Sequence, residues 1–537
     1  MPTPRARLVR KTFRLLLSIA VLAVFSGVAF VNFYRLNLDS LAEPSRLIVC
    51  YLMLLAAAIV VSLIASAVLR NAPLARIFLV ASVIAFMTFY YAEIKRLVGG
   101  DRPALSILCW ACVTLLLAFV VGKLSGRKAF LPTMAIVGVI YMVPAATGLI
   151  QARLHYPRLG NPVTLTLTTR NAVNVYWIVL DGYPRADVLK QFFDFDDAPF
   201  LNRLRDLDFV VYDHAVASFP ETVFSISSTL SLGLLVDETG SPNKIPPIND
   251  LAGRVRGRNV VVATMRAMGY RYIHFQNGYD DLTQCPLEGA ICIRGNVGHG
   301  LQLDEFDVAL LSKTPLIDAI TLGNSRLKID ETPFARGAVS DVTDRLSEIE
   351  ANGGPFFLYA HVLAPHPPIR FRQDCSIRPA DPDLQRWDAD DKPAFLEQLA
   401  CVNSEAIDLV GKIVGHDPKA IVVVQSDHGT AFRGQFAPLH DDRDDPSGHG
   451  ETFRGQLKKP YDAWDASDVK ERFGALNAIR MPAACAEDAA GTIDLVNTFA
   501  RVLSCISGQR LPDKVARLFV VSHAGDMTDV HEYKRDF

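Results

Sequence analysis

Two acidic residues stand directly behind apolar runs: Asp181 in WIVLDG and Asp427 in VVVQSDHG, the second followed by His428. Asp and Gly are common turn residues, so either motif alone reads equally well as a turn or as a site. Taken together, each behind a buried-strand pattern, they read as a metal site. Two carboxylates and an imidazole form an oxygen–nitrogen donor set for a divalent cation such as zinc. A third stretch, SFPETVFSISSTLSLG (218–233), holds seven hydroxyl residues. Pro220 and Glu221 mark a helix start, which puts Thr222 near the helix N-terminus, where free N–H groups and the helix dipole favour an anion. Beside a divalent cation, a hydroxyl in that position can lose its proton and attack phosphorus or sulfur. Ser225, Ser227, Ser228, Thr229 and Ser231 lie further along, and are expected to pack or to bond back to carbonyls.

The elements that must position these residues are short apolar strands alternating with helices. VYWIVLDG reads as a buried strand and its turn. APFLNRLRDLDFVVYD and VVVATMRAMGYRYIHF each read as a helix followed by a strand, with FVVYDHAVA as the strand ahead of Thr222. PFFLYAHVLAPH and AIVVVQSDHG read as further buried strands, and FLEQLACVNSEAIDLVGKIVG has amphipathic-helix spacing. Near-continuous apolar strands separated by helices predict an α/β fold, a mostly parallel sheet with helices on both faces. In such sheets ligands bind at the carboxyl ends of the strands, where Asp181 and Asp427 fall. Residues 431–470 are polar and charged, and read as a long insertion or lid.

Half of the 537 residues are hydrophobic, and the excess lies early in the chain. Residues 15–34, 47–69, 76–94, 104–123 and 129–150 are each long enough to cross a ~30 Å hydrocarbon core. A signal peptide could account for the first stretch but not for the other four. The expected organisation is a bundle of about five transmembrane helices over 1–150, a juxtamembrane linker over 151–172 and a catalytic domain over 173–537. Arg5, Arg7, Arg10, Lys11 and Arg14 keep the N-terminus cytoplasmic, so an odd number of spans puts the domain outside. Lys123, Arg127 and Lys128 agree with that orientation; Lys95, Arg96 and Arg102 oppose it. Cys50, Cys109 and Cys112 lie in the spans. The other six cysteines fall in neighbouring pairs, Cys285/Cys292, Cys375/Cys401 and Cys485/Cys505, which suits disulfides in an oxidising compartment. The net charge of -2 gives no reason to expect a nucleic-acid partner.

NVYWIVLDGYPRADVL, the Thr222 segment and VVVQSDHGT together resemble the alkaline-phosphatase superfamily on its sulfatase-like branch, over about residues 173–505. Five spans ahead of such a domain resemble the phosphoethanolamine and phosphoglycerol transferases of bacterial envelopes. The resemblance implies Asp181, Thr222, Asp427 and His428 as ligands of one metal ion, with Thr222 also the nucleophile. Many members carry a small pair about nine positions past the nucleophile, and counting back from Ser231 lands on Thr222. It further implies that His366, in HVLAPHPP, contacts the phosphate or acts as general acid. His361, Arg185, Arg472 and Asn477 are candidates for contacts to substrate or to the metal ligands. Core packing is an equal reading of His361, and a surface ion pair is the plainer reading of Arg185. His440 and His449 read as surface residues.

Two departures matter. Sulfatases need Cys or Ser in a C/S-x-P/A-x-R setting, whereas here the order is Thr222-Val-Phe-Ser-Ile. Members with two metals carry a further His near the domain's end, where this chain reads ERFGALNAIRMP. The resemblance therefore implies a mononuclear, phosphate-directed enzyme. Its expected activity is transfer of a phospho-headgroup from a phospholipid to an envelope glycan or lipid acceptor through a covalent Thr intermediate. A phosphoester or sulfate-ester hydrolase, or a non-catalytic envelope scaffold, are the alternatives. The expected cofactor is zinc, with manganese or calcium as alternatives, and the expected location is the bacterial inner membrane with the catalytic domain in the periplasm. Headgroup, acceptor and oligomeric state stay open at this level.

Overall fold

The apolar stretches fold as helices in a computed structural model, which describes residues 3–36, 45–69, 72–98, 102–155, 162–236, 246, 248–276, 285, 289–295, 310–323, 338–378, 384, 387–435, 459, 461–485, 491–524 and 527–535. The chain divides into two compact units. One comprises 1–158 with 306–330, and the other 159–305 with 331–537.

In the first unit the helices are α1 (Pro4–Leu36), α2 (Ser45–Val68), α3 (Leu74–Phe89), α4 (Tyr91–Val98), α5 (Pro103–Leu124) and α6 (Phe130–His155). Among the described residues, four helices are long and apolar enough to cross a membrane, and α3 with α4 makes a fifth if the bent pair is one span. The stretch expected as one span over 76–94 is thus bent, by 54°. The Tyr90 N–H closes back onto Met87 O, three residues away, and the chain then meets Glu93, Lys95 and Arg96. Such a tightened turn ahead of charged residues is an identifiable cause of a kink. Buried serines within the spans bond to carbonyls a turn back, as Ser26 does to Leu22 O (2.8 Å) and Ser82 to Phe78 O (2.7 Å). The helix Leu316–Gly323 belongs to this unit, and its Asp318 accepts from Tyr91 Oη and from Lys95 Nζ (3.0 Å).

The second unit is built on a seven-stranded sheet in the order β2-β7-β6-β1-β5-β3-β4. The strands are β1 (Val175–Leu180), β2 (Val210–Val211), β3 (Arg271–Gln276), β4 (Ile291–Arg294), β5 (Phe356–Val362), β6 (Ile421–Gln425) and β7 (Asn477–Arg480). β6, β1, β5, β3 and β4 are parallel; β7 runs antiparallel to β6, and β2 to β7. Successive residues of a strand face opposite sides. Val175, Trp177 and Val179 therefore join one core, with Phe224, Ile226, Leu251, Val262 and Phe499, while Tyr176, Ile178 and Leu180 join the other, with Leu189, Phe200, Leu399 and Leu409. Helices on both faces of a mostly parallel sheet match the α/β expectation. The strand expected over FVVYDHAVA is only the two residues of β2: Tyr212 N–H still bonds to Asn477 O, but Ala215 N–H then closes a turn onto Tyr212 O.

A small hairpin, β8 (Leu518–Ala524) with β9 (Met527–Tyr533), completes the unit. Cysteines pair with their sequence neighbours: Cys285–Cys292, Cys375–Cys401 and Cys485–Cys505. Within the stretch read as a linker, residues 162–172 form neither helix nor strand. Leu165 N–H donates to Thr264 Oγ1 (3.0 Å), and Thr169 Oγ1 donates to Met268 O (2.8 Å). Most of the 431–470 insertion, with His440 and His449, lies outside the described residues.

Candidate metal centre

Strand register brings the two acidic motifs together. Val179 on β1 is the partner of Gln425 on β6, so two residues further on Asp181 and Asp427 leave neighbouring strands side by side. On the other flank Val179 is the partner of His361 on β5. These are carboxyl ends of parallel strands, where such sheets hold ligands.

Each side chain is fixed by a separate contact. Asp427 Oδ1 accepts from the Gly182 N–H (3.0 Å) and the His428 N–H (2.9 Å). Gly182 has φ +67° and a Cβ there would meet Trp387, so a glycine suits this turn. Asp181 Oδ2 lies 3.2 Å from His361 Nε2. The ring of His428 is held by Gly429 O, 2.9 Å from its Nδ1. A carbonyl only accepts, so Nδ1 carries the proton and Nε2 presents its lone pair. Burial and the Arg472 charge push His428 down to about 4, which keeps the ring neutral at pH 7.

That lone pair faces Thr222 Oγ1 at 3.3 Å, Asp427 Oδ2 at 3.3 Å and Asp181 Oδ1 at 3.6 Å. Thr222 is the first residue of α7 (Thr222–Leu230), with Glu221 in the capping position. Both carboxylates are fully buried, and neither Asp181 Oδ1 nor Asp427 Oδ2 has a hydrogen-bond partner among the described residues. Two anionic oxygens converge on a nitrogen lone pair, and the single Thr222 hydroxyl proton can serve only that nitrogen, which leaves both oxygens without a donor among the described residues, a costly arrangement. A divalent cation satisfies all three atoms, so the residues present fit a metal ion.

His366 also reaches this centre. Its Nδ1 is taken by Pro367 O, and it groups with Asp181 and His428 within 4.8 Å. Asp181, His361 and Asp427 form a second such group. Burial raises the Asp181 carboxyl, but His366, His361 and His428 outweigh it and hold Asp181 well below the usual carboxylate range. The structure therefore brings Asp181, Thr222, His361, His366, Asp427 and His428 together. Arg472 is adjacent: its Nη1 donates to Gly429 O (2.7 Å), and its charge acts on Asp427, Glu221 and Asp181. Glu221 is pushed up to about 7 by burial, against the pull of Arg472.

The two other sequence candidates lie elsewhere. Arg185 is buried, with Nε and Nη2 on Asp187 and Nη1 on Ala215 O. Asn477 sits within β7 with Nδ2 toward Ile493 O (3.3 Å). The hydroxyls of α7 bond outside the helix rather than back along it: Ser225 to Asp427 O (2.5 Å), Ser227 to Leu251 O (3.0 Å), Ser228 to Gly233 O (3.0 Å) and Thr229 to Leu495 O (3.3 Å). Ser225 thus ties the helix of Thr222 to the strand end of Asp427, a link that composition alone does not signal.

Other supports were not visible in sequence. Ser426 Oγ accepts from Tyr183 N–H (2.8 Å) and donates to His428 O (2.7 Å). Fully buried Glu471 gathers the loop behind His428: Oε1 accepts from Thr430 Oγ1 and Phe432 N–H, and Oε2 from Arg433 N–H and Gln435 Nε2. Trp387 packs edge-to-face on His366 with centroids 4.8 Å apart.

The sequence model of one protein family, Sulfatase, matches residues 197–505, more than half of the chain. No curated protein matches. Solved structures similar to it include the C-terminal periplasmic domain of EcEptC from Escherichia coli, at 12% identity and TM-score 0.42, covering 70% of this chain and 97% of that one. The integral membrane protein lipooligosaccharide phosphoethanolamine transferase A from Neisseria meningitidis is similar at 11% identity and TM-score 0.38, covering 92% and 95%. BT1596, a 2-O GAG sulfatase, is similar at 13% identity and TM-score 0.35, covering 66% and 78%. None of these likenesses assigns a substrate or a residue's role to this chain.

Proposed function

The chain belongs to the sulfatase family and is an enzyme of that family, and from this premise we propose that it transfers a phospho-headgroup from a phospholipid donor to an envelope glycan or lipid through a covalent ester on Thr222. The observation that carries this reading is the Thr222 hydroxyl, 3.3 Å from His428 Nε2 and beside two unpartnered carboxylate oxygens. The family name does not bring sulfate chemistry with it. Thr222-Val-Phe-Ser-Ile lacks the Cys/Ser-x-Pro/Ala-x-Arg setting that sulfatases require, which leaves a plain hydroxyl as nucleophile.

Asp181, Thr222, Asp427 and His428 would hold the ion, and their mixed oxygen–nitrogen set favours zinc over manganese or calcium. When bound, a divalent ion polarises the phosphoryl oxygen and lowers the pKa of a hydroxyl beside it. The remaining work falls to the chain. Thr222 Oγ1 passes its proton to the lone pair of His366 Nε2 and bonds to phosphorus as the bond from phosphorus to the diacylglycerol oxygen breaks. His366, whose Nδ1 is committed to Pro367 O, uses Nε2 to protonate that departing oxygen. An acceptor hydroxyl then attacks the phosphothreonine and passes its proton to His366 Nε2, which hands it to the Thr222 oxygen as that oxygen leaves phosphorus. The apolar helices of the first unit support a place in the bacterial inner membrane, with the catalytic unit in the periplasm and within reach of lipid donors.

The test is intact-mass measurement of the full chain after incubation with phosphatidylethanolamine or phosphatidylglycerol vesicles. A headgroup adduct that maps to Thr222 is expected, absent in Thr222→Ala. Headgroup release without an adduct or an acceptor product would replace transfer with hydrolysis, and a protein that binds no divalent metal would overturn the enzyme mechanism.

A further inference from the structure

The neighbours of Asp181 on β5 include a tyrosine–histidine pair, and we infer that Tyr359 and His361 are positioning residues that aim Asp181 Oδ1 at the cation site. This rests on the metal-site reading of Asp181. Asp181 Oδ2 is 3.2 Å from His361 Nε2, and His361 Nδ1 is 3.1 Å from Tyr359 Oη. A carboxylate can only accept, so Nε2 carries a proton; in the neutral ring Nδ1 is then the acceptor for the Tyr359 hydroxyl. Tyr359 thus selects the tautomer that grips Oδ2 and leaves Oδ1 turned toward His428 Nε2. Both residues are buried, and Trp177 lies against the Tyr359 ring with centroids 4.9 Å apart, which fixes the hydroxyl's direction. Without that hydroxyl the imidazole is free to take the other tautomer, whose Nε2 lone pair faces the carboxylate.

The chain contains a natural comparison. Tyr272 and His274 on β3 repeat the same pair, with Tyr272 Oη 3.0 Å from His274 Nδ1. His274 stands opposite Tyr359 in the strand register, so this second pair lies one strand further from Asp181. Removal of its hydroxyl costs the same kind of buried hydrogen bond at a ring that meets Tyr359 edge-on, with centroids 5.5 Å apart, and stands one strand away from Asp181.

The experiment uses the full chain in detergent micelles, stripped of metal and titrated with zinc chloride against a chromophoric chelator, with the metal-free melting midpoint measured alongside. Tyr359→Phe is expected to weaken zinc binding about 10-fold, as loss of an orienting partner of a metal ligand commonly does. Tyr272→Phe is expected to lower the melting midpoint by a similar amount while leaving zinc affinity within about two-fold of wild type. Equal zinc affinity in the two variants would overturn the inference. Where Tyr359→Phe does not fold, His361→Gln, which keeps an N–H for Asp181, is compared with His361→Leu, which does not. The Gln variant should bind zinc about 10-fold more tightly than the Leu variant, and equality overturns the proposal. A wild-type chain that binds no zinc would instead overturn the metal-site reading itself.

Discussion

Thr222 Oγ1 and His428 Nε2 lie 3.3 Å apart, although 206 residues of chain separate them. The contact joins the start of a helix to the end of a strand. It exists because Ser225, one turn along that helix, donates to the carbonyl of Asp427. The start of the Thr222 helix and the strand end that carries Asp427 and His428 are therefore joined by one small cross-link.

Thr222→Ala should abolish headgroup transfer, by at least about 10³-fold, with the melting midpoint little changed. Thr222→Ser keeps the hydroxyl and should retain part of the activity. Turnover of a labelled phospholipid, read together with intact mass, checks both.

Asp427→Asn should separate function from stability. Its Oδ1 can still accept from the Gly182 and His428 N–H groups, while the new amide N–H can point at His428 Nε2, 3.3 Å from the replaced oxygen. A like-facing pair becomes a hydrogen bond, so the metal-free variant should be more stable than metal-free wild type by roughly 1–3 kcal/mol. Zinc content after dialysis should fall. Metal analysis and thermal melting of stripped samples test the pair of outcomes.

Asp197 predicts a pH dependence away from the metal. It is buried, accepts from Tyr183 Oη (3.0 Å) and Asn403 Nδ2 (2.9 Å), and burial pushes it up to about 7 despite those bonds. Between the ordinary value of 3.8 and about 7, the folded chain holds a proton that the unfolded chain has released. Stability therefore falls as pH rises through that window, by at most about 4 kcal/mol, and levels off above it. Asp197→Asn should flatten this slope and melt higher than wild type at pH 8.

Gly429 permits the close approach that seats His428. A Cβ there would lie 2.0 Å from Glu471 O, a backbone atom, and 2.9 Å from Gly474 O. Gly429→Ala should cost more than about 3 kcal/mol and disturb zinc binding, since one backbone segment must move. Gly411, inside the helix Lys392–His416, has nothing within 4 Å of an added Cβ. Gly411→Ala should instead stabilise by roughly 0.5–1 kcal/mol. Melting midpoints of the two variants, measured side by side, distinguish steric from conformational effects.

The sequence by itself determined what is local and periodic. Near-continuous apolar strands behind Asp181 and Asp427 specified buried parallel strands, because only a sheet covered on both faces buries every residue of VYWIVL and IVVVQ. The Pro-Glu-Thr start placed Thr222 at a helix N-terminus, whereas the sequence grouped the cysteines by proximity and left their connectivity to the structure. Tertiary structure alone decided which groups meet. Nothing local tells Asp181 that His361 stands beside Val179, since register depends on strand order in the sheet. Nor does KERFG reveal that Glu471 folds the loop after His428, or LYAHV that Tyr359 sets its histidine. The bend at Tyr90 and the bonds from Tyr91 and Lys95 to Asp318 in the helix Leu316–Gly323 were equally hidden. Secondary structure follows from patterns a few residues long. A metal centre depends on distances between residues tens to hundreds of positions apart, and these are set only when the sheet closes its register and the buried polar atoms find their partners.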